Sequence, residues 1–214
     1  TKTPSIACTW RDDFSTTALN PAWQWVREEA SHWSLSDRAG YLRITTQSGS
    51  LSGSSNDGRN LLLRSVSAGN FEIITRIEFT PTQNYQDAAL LVCQDDDNYL
   101  KLGRLYNGDS GGNQVEFVYE TGGTPTVQGQ SFSATSVYLK IVKAGTTYTG
   151  SYSENGTNWT QVAQFTGVSL SAPQVGLGAW NGAGSAAAEI PTDFDWFCVK
   201  SAGLGIYGVV TYNG

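Results

Sequence analysis

At 214 residues, with 39% hydrophobic and 12% aromatic content, the chain is long enough for one well-filled core and too apolar for disorder. A formal net charge of -6, a pI near 4.7 and the lack of any basic block exclude a phosphate backbone as partner and disfavour anionic polysaccharides and anionic membranes. Gly is abundant at 24 and charged residues are sparse at 15%, a composition of short strands and tight turns, and no apolar run reaches the roughly 20 residues that span a bilayer.

In chain order, strand patterns are expected at residues 33–36, 41–46, 61–66 and 71–80, separated by Asp-Arg-Ala-Gly, a Ser/Gly/Asn/Asp-rich loop over 47–60, and Ser-Ala-Gly-Asn. The 71–80 strand alternates, with Phe71, Ile73, Ile77 and Phe79 on one face and Glu72, Arg76 and Glu78 on the other. Residues 88–94 are apolar on both faces, which predicts a central strand. Strands at 99–106, 115–120 and 137–143 follow. Those at 148–153 and 159–165 flank Glu154-Asn155-Gly156, which suggests a hairpin because Asn-Gly supplies the positive φ angles of a type I′ turn. Strands at 175–181 and 193–199 complete the set; Asn20-Pro21-Ala22 could start a single helical turn, and no longer helix is expected. This predicts an all-β, antiparallel two-sheet β-sandwich over residues 1–201, with 202–214 as a C-terminal edge strand or linker. Met is absent, including at position 1, so a processed protein or a piece of a longer one is expected.

The run from Gln94 to Asn107 suggests a binding surface. Asp95, Asp96 and Asp97 break regular structure, and three acids in a row cannot converge on one ion, so they read as a solvated turn. In the strand that follows, Leu100 and Leu102 face one way while Tyr99 and Lys101 face the other. In 175–181, Val175, Leu177 and Ala179 share a face, and Gly176, Gly178 and Trp180 share the opposite one. Two glycines beside a Trp would clear space where a sugar ring stacks on the indole, its hydroxyls meeting polar neighbours. Trp180, Tyr99, Lys101, Asp87, Gln94 and Arg64 are therefore the candidate carbohydrate-binding residues, with Trp180 as a surface platform. Trp23, Trp25, Trp33, Trp159 and Trp196 read as core.

Asp13-Phe-Ser15, Leu19-Asn-Pro-Ala-Trp23-Gln-Trp25, Trp33-Ser-Leu-Ser36 and Gly40-Tyr-Leu-Arg43 resemble the opening of the β-sandwich found C-terminal to the catalytic propeller of family 43 glycosidases, notably β-xylosidases. Asp95-Asp-Asp-Asn-Tyr99, Tyr152-Ser-Glu-Asn-Gly156 with Trp159, Val175-Gly-Leu-Gly-Ala-Trp-Asn181 and Asp193-Phe-Asp-Trp196 extend the likeness to the wider concanavalin A-like and laminin G-like group. The resemblance implies a concanavalin A-like jelly roll and a non-catalytic carbohydrate-binding or accessory role in an exported plant-polysaccharide glycosidase. Its implied partners are a neutral plant polysaccharide or oligosaccharide, with xylan or arabinoxylan as the ligand class, and a catalytic glycosidase domain in the parent chain. Nucleic acid and membranes are not expected partners. Bacterial β-glucanases of this fold hold a structural calcium through an Asp of the last strand and main-chain oxygens near the first, which maps onto Asp195, Gly40 and Asp13. In sandwiches whose end strands are neighbours, Cys8 and Cys198 could pair, leaving Cys93 as a buried thiol; one bridge would fit a secreted protein.

Signs of catalysis are sparse. The Glu-x-Asp-x-x-Glu strand of glucanases with this fold is missing, as are the Gln-x-His and Arg-rich strands that accompany a Tyr99–Asn107-like motif in alginate lyases. Glu116 and Glu120 share a strand face, as do Glu72 and Glu78, and both pairs read as solvated edges; Glu72 and Glu78 are the acids a stand-alone glycosidase or lyase would use. A domain that only packs on a catalytic partner is the third reading. His32, the single histidine, lacks a nucleophile signature beside it. The overlapping sequons Asn155-Gly-Thr157 and Asn158-Trp-Thr160 would matter only in a eukaryotic secretory pathway.

Overall fold

A computed structural model describes residues 8–67 and 69–201; the segment 202–214, expected as an edge strand or linker, lies outside them. Three short strands come first, β1 (Trp10–Asp12), β2 (Gln24–Val26) and β3 (Trp33–Ser34), with a 3₁₀ turn at Ala30–His32 before β3. β4 (Leu42–Thr45), β5 (Leu61–Ser65) and β6 (Phe71–Glu78) follow. The long strands β7 (Asp87–Asp95), β8 (Asn98–Asn107) and β9 (Gly112–Thr121) come next, with a second 3₁₀ turn at Gly108–Ser110. β10 (Thr124–Ser131), β11 (Ser136–Ala144), β12 (Thr147–Ser153), β13 (Thr160–Phe165), β14 (Gln174–Trp180) and β15 (Pro191–Ser201) complete the described elements.

They form two antiparallel sheets. The eight-stranded sheet runs β13-β12-β11-β6-β15-β4-β3 with β1 on β15, and the seven-stranded sheet runs β10-β9-β8-β7-β14-β5-β2. β7, apolar on both sides, takes the central position of its sheet, as its sequence requires. Between the sheets lies the main core, which holds Phe71, Ile73 and Ile77 of β6, Leu100 and Leu102 of β8, and Val175 and Leu177 of β14. Trp23 belongs to this core, with Trp25 and Trp33 packed partly against it. Trp196 and Trp159 do not: they sit on the outer face of the eight-stranded sheet with Ile74, Tyr138 and Cys198. A bulge at Asp195 explains the parity, because Phe194 pairs with Ile77 and Trp196 with Arg76, so Phe194 and Phe197 can both point inward.

Three strands lie outside the sequence expectation, for physical reasons. β1 and β2 are three residues each, too short to show a period. β10 is a sheet edge, exposed along almost its whole length, and polar residues with Pro125 suit an edge while hiding the alternation. The Asn155-Gly156 connection is also not the expected two-residue turn. Residues 154–159 join β12 to β13, with Ser153 Oγ accepting from the amides of Asn155 and Gly156, and Asn155 Oδ1 accepting from those of Thr157 and Asn158.

Cys8 and Cys198 form a disulfide that ties the start of the described chain to β15 across 190 residues. Cys93 is a buried free thiol, and burial pushes it up to about 12, so it stays protonated and inert. Closing so long a loop stabilises mainly by restricting the unfolded chain, and removing such a bridge costs about 2–5 kcal/mol. Thermal melts with and without a thiol reductant check this: reduction is expected to lower Tm by several degrees, and an unchanged Tm would contradict it.

Candidate binding site

The outer face of the seven-stranded sheet is itself apolar over half its width. Leu61 and Leu63 of β5, Ala89, Leu91 and Cys93 of β7, and Tyr99 of β8 form a second buried cluster there. The 47–60 loop covers it, with Leu51 inserted into the cluster and Trp180 beside it. Trp180 is 2% exposed. Its ring lies over Gly178, where an added Cβ would fall 2.2 Å from Cζ3, and a Cβ on Gly176 would fall 1.9 Å from the carbonyl oxygen of Leu62. The two glycines therefore make room for the indole and for the backbone of β5, and not for a ligand. Trp180 is a packed residue that offers the site only part of its ring, which corrects the expectation of an open platform.

Beside the covered half, a hollow of about 540 Å³ remains open, within the usual range of small-ligand pockets. On its floor Lys101 is paired with Asp87, which is 3% exposed and lies over Gly103, where a Cβ would meet Oδ1 at 2.3 Å. Burial opposes the Lys101 ammonium, but the Asp87 carboxylate, with Glu116 and Glu120 adding to it, raises the Lys101 pKa. Glu116 lies on the next strand, opposite Gly103, and also lines the hollow. Burial raises its carboxyl above the ordinary range, with Lys101 opposing and Asp87 adding to the shift.

Glu120 works as a clasp for the loop. It is fully buried, accepts the Tyr99 hydroxyl at 2.9 Å and the Gly53 amide at 3.0 Å, and burial raises its carboxyl above the ordinary range against those two hydrogen bonds. Glu116 and Glu120 are thus not the solvated strand edge that alternation suggests, because the loop closes over Glu120 and the Glu116 side chain lies against Gly129 of the neighbouring β10. Asp87 Oδ1, Asn107 Oδ1, Gln114 Nε2 and Glu120 Oε1 are buried on this face without a hydrogen-bond partner among the described residues. Such orphans are filled by water or by a polar ligand.

The rim carries the apolar component. Among the described residues, Tyr85 and Val127 are the large hydrophobics left exposed, at 48% and 47%, and both border this hollow. Tyr85 adopts φ +67, uncommon for a bulky residue, and is held there by the hydrogen bond its backbone N–H donates to the Tyr106 carbonyl at 2.8 Å and by Gly182 beneath it. A strained aromatic fixed at a pocket mouth is a feature of ligand sites. Sequence reasoning passed over Tyr85 because it sits in a loop; the polar run Thr82-Gln-Asn-Tyr85 before an apolar strand is the signal it left.

Of the six candidate residues, Trp180, Tyr99, Lys101 and Asp87 meet in this hollow. Gln94 and Arg64 do not. Gln94 lies beyond the end of the cluster, where it accepts the Ser171 amide at 2.7 Å, and Arg64 turns to the other side of the sheet, its guanidinium 3.6 Å from the ring centre of Trp10.

The residues matched to calcium do not fit a hard cation. Asp195 Oδ2 accepts Arg76 at 2.8 Å, Asp13 Oδ1 accepts Arg11 at 2.7 Å, and Gly40 sits in a turn at φ +78. The Arg76 guanidinium already supplies positive charge to Asp195, the one carboxylate of the set; Gly40 and Asp13 enter the match through main-chain oxygens.

The acids Glu72 and Glu78 do not form a hydrolytic pair either. Glu72 binds Lys200, Glu78 binds Arg38 and Arg76, and six residues along β6 set them about 20 Å apart. His32 contacts Ser31 and Glu189, but the Ser31 hydroxyl donates to Glu29, so its proton faces a carboxylate and not the imidazole. The Asp95–Asp97 turn is more than solvated: Asp96 takes Arg27 in a two-point bridge, and Asp97 accepts Asn56 of the covering loop.

Comparison with known proteins matches residues 11–200 to the family described as the beta xylosidase C-terminal concanavalin A-like domain. A curated relative, the non-reducing end alpha-L-arabinofuranosidase BoGH43B of Bacteroides ovatus, is 29% identical over 203 residues, covering 87% of this chain and 36% of that protein. The crystal structure of the GH43 BlXynB protein from Bacillus licheniformis superposes with a TM-score of 0.79 at 25% identity, over 89% of this chain and 39% of that one. Xylan beta-1,4-xylosidase from Bacillus halodurans shares the fold, with a TM-score of 0.78 at 20% identity over 94% of this chain and 41% of that one. The chain thus spans little more than a third of the length of these relatives.

Two outcomes follow from the packing. Trp180→Ala is expected to lower stability by about 3–5 kcal/mol, as for other buried Trp truncations, measured by chemical denaturation. Glu120 has a raised folded-state pKa, so its stabilising contribution is complete below the unfolded value of about 4.3 and is lost as pH rises through the folded value. Relative to the parent, Glu120→Gln is therefore expected to gain stability as pH is raised from 4 to 8, and a Tm difference independent of pH would contradict this.

Proposed function

The chain belongs to the family of β-xylosidase C-terminal concanavalin A-like domains, and from that premise we propose that it is a non-catalytic carbohydrate-binding module of a plant-polysaccharide glycosidase. Its site is the hollow on the outer face of the seven-stranded sheet, and xylan or arabinoxylan is its ligand class. One observation carries the reading: the exposed apolar residues Tyr85 and Val127 stand over a floor of buried, partly unpartnered polar atoms. A sugar ring presents that same combination, an apolar face edged by hydroxyls. The names of the relatives, an arabinofuranosidase and a xylosidase, support the choice of polysaccharide.

The way the acids are used supports a reading of binding without cleavage. Glycoside hydrolysis needs two carboxylates flanking one bond. On this face Asp87 is committed to Lys101 and Glu120 to Tyr99 and Gly53, which leaves Glu116 alone. A catalytic domain in the same parent chain would do the chemistry, consistent with the small share of the relatives that this chain spans. The Cys8–Cys198 bridge favours an oxidising, extracellular setting.

Affinity electrophoresis in gels containing arabinoxylan, xylan or a β-glucan tests the proposal. The chain is expected to be retarded by the first two. Tyr85→Ala is expected to keep the parent's Tm, because the ring is half exposed, and to weaken retardation about tenfold, or about 1.4 kcal/mol. Failure of every polysaccharide to retard the chain would leave a purely structural role against the catalytic partner, and sugar release by the chain alone would make it an enzyme.

A further inference from the structure

We propose that the hollow is a blind pocket that takes one uncharged sugar unit at a chain end or side branch, and that a polysaccharide cannot thread through it; this rests on the hollow being the sugar site. A threading groove needs two exits, and the loop that covers the apolar cluster removes one. The loop follows β4 and starts beside the end of β14, where the Asn181 amide donates to the Gln47 carbonyl and Gly49 bridges Gly182. It then crosses the sheet face to the turn between β9 and β10, where Gly53 binds Glu120 and a Cβ on Gly123 would lie 3.6 Å from the Gly53 carbonyl oxygen. Its two limbs are joined, with the Gly58 amide on the Ser50 carbonyl and the Ser50 amide on Asp57 Oδ1. This makes a continuous wall from the Trp180 side to the Tyr99 end.

A second tethered segment bounds the far end. Tyr85 is bound to Tyr106, and Asn84 Oδ1 accepts the Gly108 amide at 2.6 Å, which ties the 80–86 segment to the turn between β8 and β9. The open side lies toward β10, an exposed edge strand that presents Val127. One mouth admits an end or a branch.

The floor then sets the charge of what enters. The buried orphans lining the hollow, Asp87 Oδ1 and Asn107 Oδ1, are both acceptors, Glu116 adds a carboxyl, and the Lys101 charge is balanced by Asp87. A group that donates hydrogen bonds is matched, as sugar hydroxyls do. A uronate carboxylate is repelled and finds no free cation among these groups.

Isothermal titration of the chain with xylobiose, xylohexaose, arabinose-branched xylotriose and glucuronate-branched xylotriose separates the possibilities. The blind pocket predicts xylobiose and xylohexaose affinities within about threefold of each other, or binding carried by the arabinose branch, with the glucuronate branch at least about tenfold weaker than the arabinose branch. Tyr85→Ala and Glu116→Gln are each expected to reduce binding. Affinity that climbs about tenfold or more from xylobiose to xylohexaose, yet falls with Tyr85→Ala, would overturn the blind pocket and leave the hollow as a sugar site. Equal binding of the glucuronate and arabinose branches would overturn the selection for uncharged sugars. Binding untouched by both substitutions, or no binding of any probe, would overturn the sugar site and this inference together.

Discussion

A strand that is apolar on both faces must be covered twice, and β7 imposes that demand on the whole molecule. Its inward residues Ala88, Leu90 and Val92 are buried against the eight-stranded sheet. Its outward residues Ala89, Leu91 and Cys93 would face water if the sandwich had only two layers. The 47–60 loop supplies a partial third layer through one inserted side chain, Leu51, and through polar anchors at Glu120, Asp97 and Gly182. The loop covers the β5–β7 half of the sheet and reaches β8 and β9 only at their Tyr99–Glu120 end, so the rest of the β8–β10 half stays recessed beside its wall. The hollow is thus the remainder of an incomplete covering.

The polar groups of the site follow from the same recess. Carboxylates buried on a sheet face are costly unless paired or hydrogen bonded, and each acid here meets the demand differently. Asp87 takes Lys101, Glu120 takes a phenol and an amide, and Glu116 is left with a weak contact from Asn107 and a raised pKa caused chiefly by burial. The outer face of the other sheet is built differently. There Arg38, Arg43 and Arg76 neutralise Glu78, Asp193 and Asp195 in one closed network, which leaves little for a ligand to satisfy. The two outer faces are therefore unequal, and only one combines unpartnered polar atoms with an exposed aromatic.

Much of this architecture was legible in the sequence because alternation reports directly on strands with one buried face. β6, β8 and β14 have the inward and outward sets their patterns predict, and β7 is central for the reason its composition gives. Three residues of the hollow were legible for the same reason, since alternation sets Tyr99 and Lys101, and separately Trp180, opposite the inward faces of their own strands; Asp87 was placed as a bordering residue. The rest depended on tertiary covering, which alternation does not encode. Whether Trp180 is a platform or packed, and whether Glu116 and Glu120 are wet or buried, is decided by where a Ser/Gly-rich loop lands. The pairing of Asp195 with Arg76 was not legible either, because a bulge and a partner on β6 cannot be read from a local motif. Tyr85 escaped because a positive-φ loop residue has no periodic signature.

The central claim is that the recess beneath the 47–60 loop, and no other surface, meets the polysaccharide. Amide hydrogen exchange of the full chain, with and without saturating arabinoxylan, tests this most directly. The account predicts slowed exchange at residues 50–55, at Tyr85 and at 105–110, with strands β12 and β13 unchanged. Protection confined to the outer face of the eight-stranded sheet, with the hollow unaffected, would contradict it.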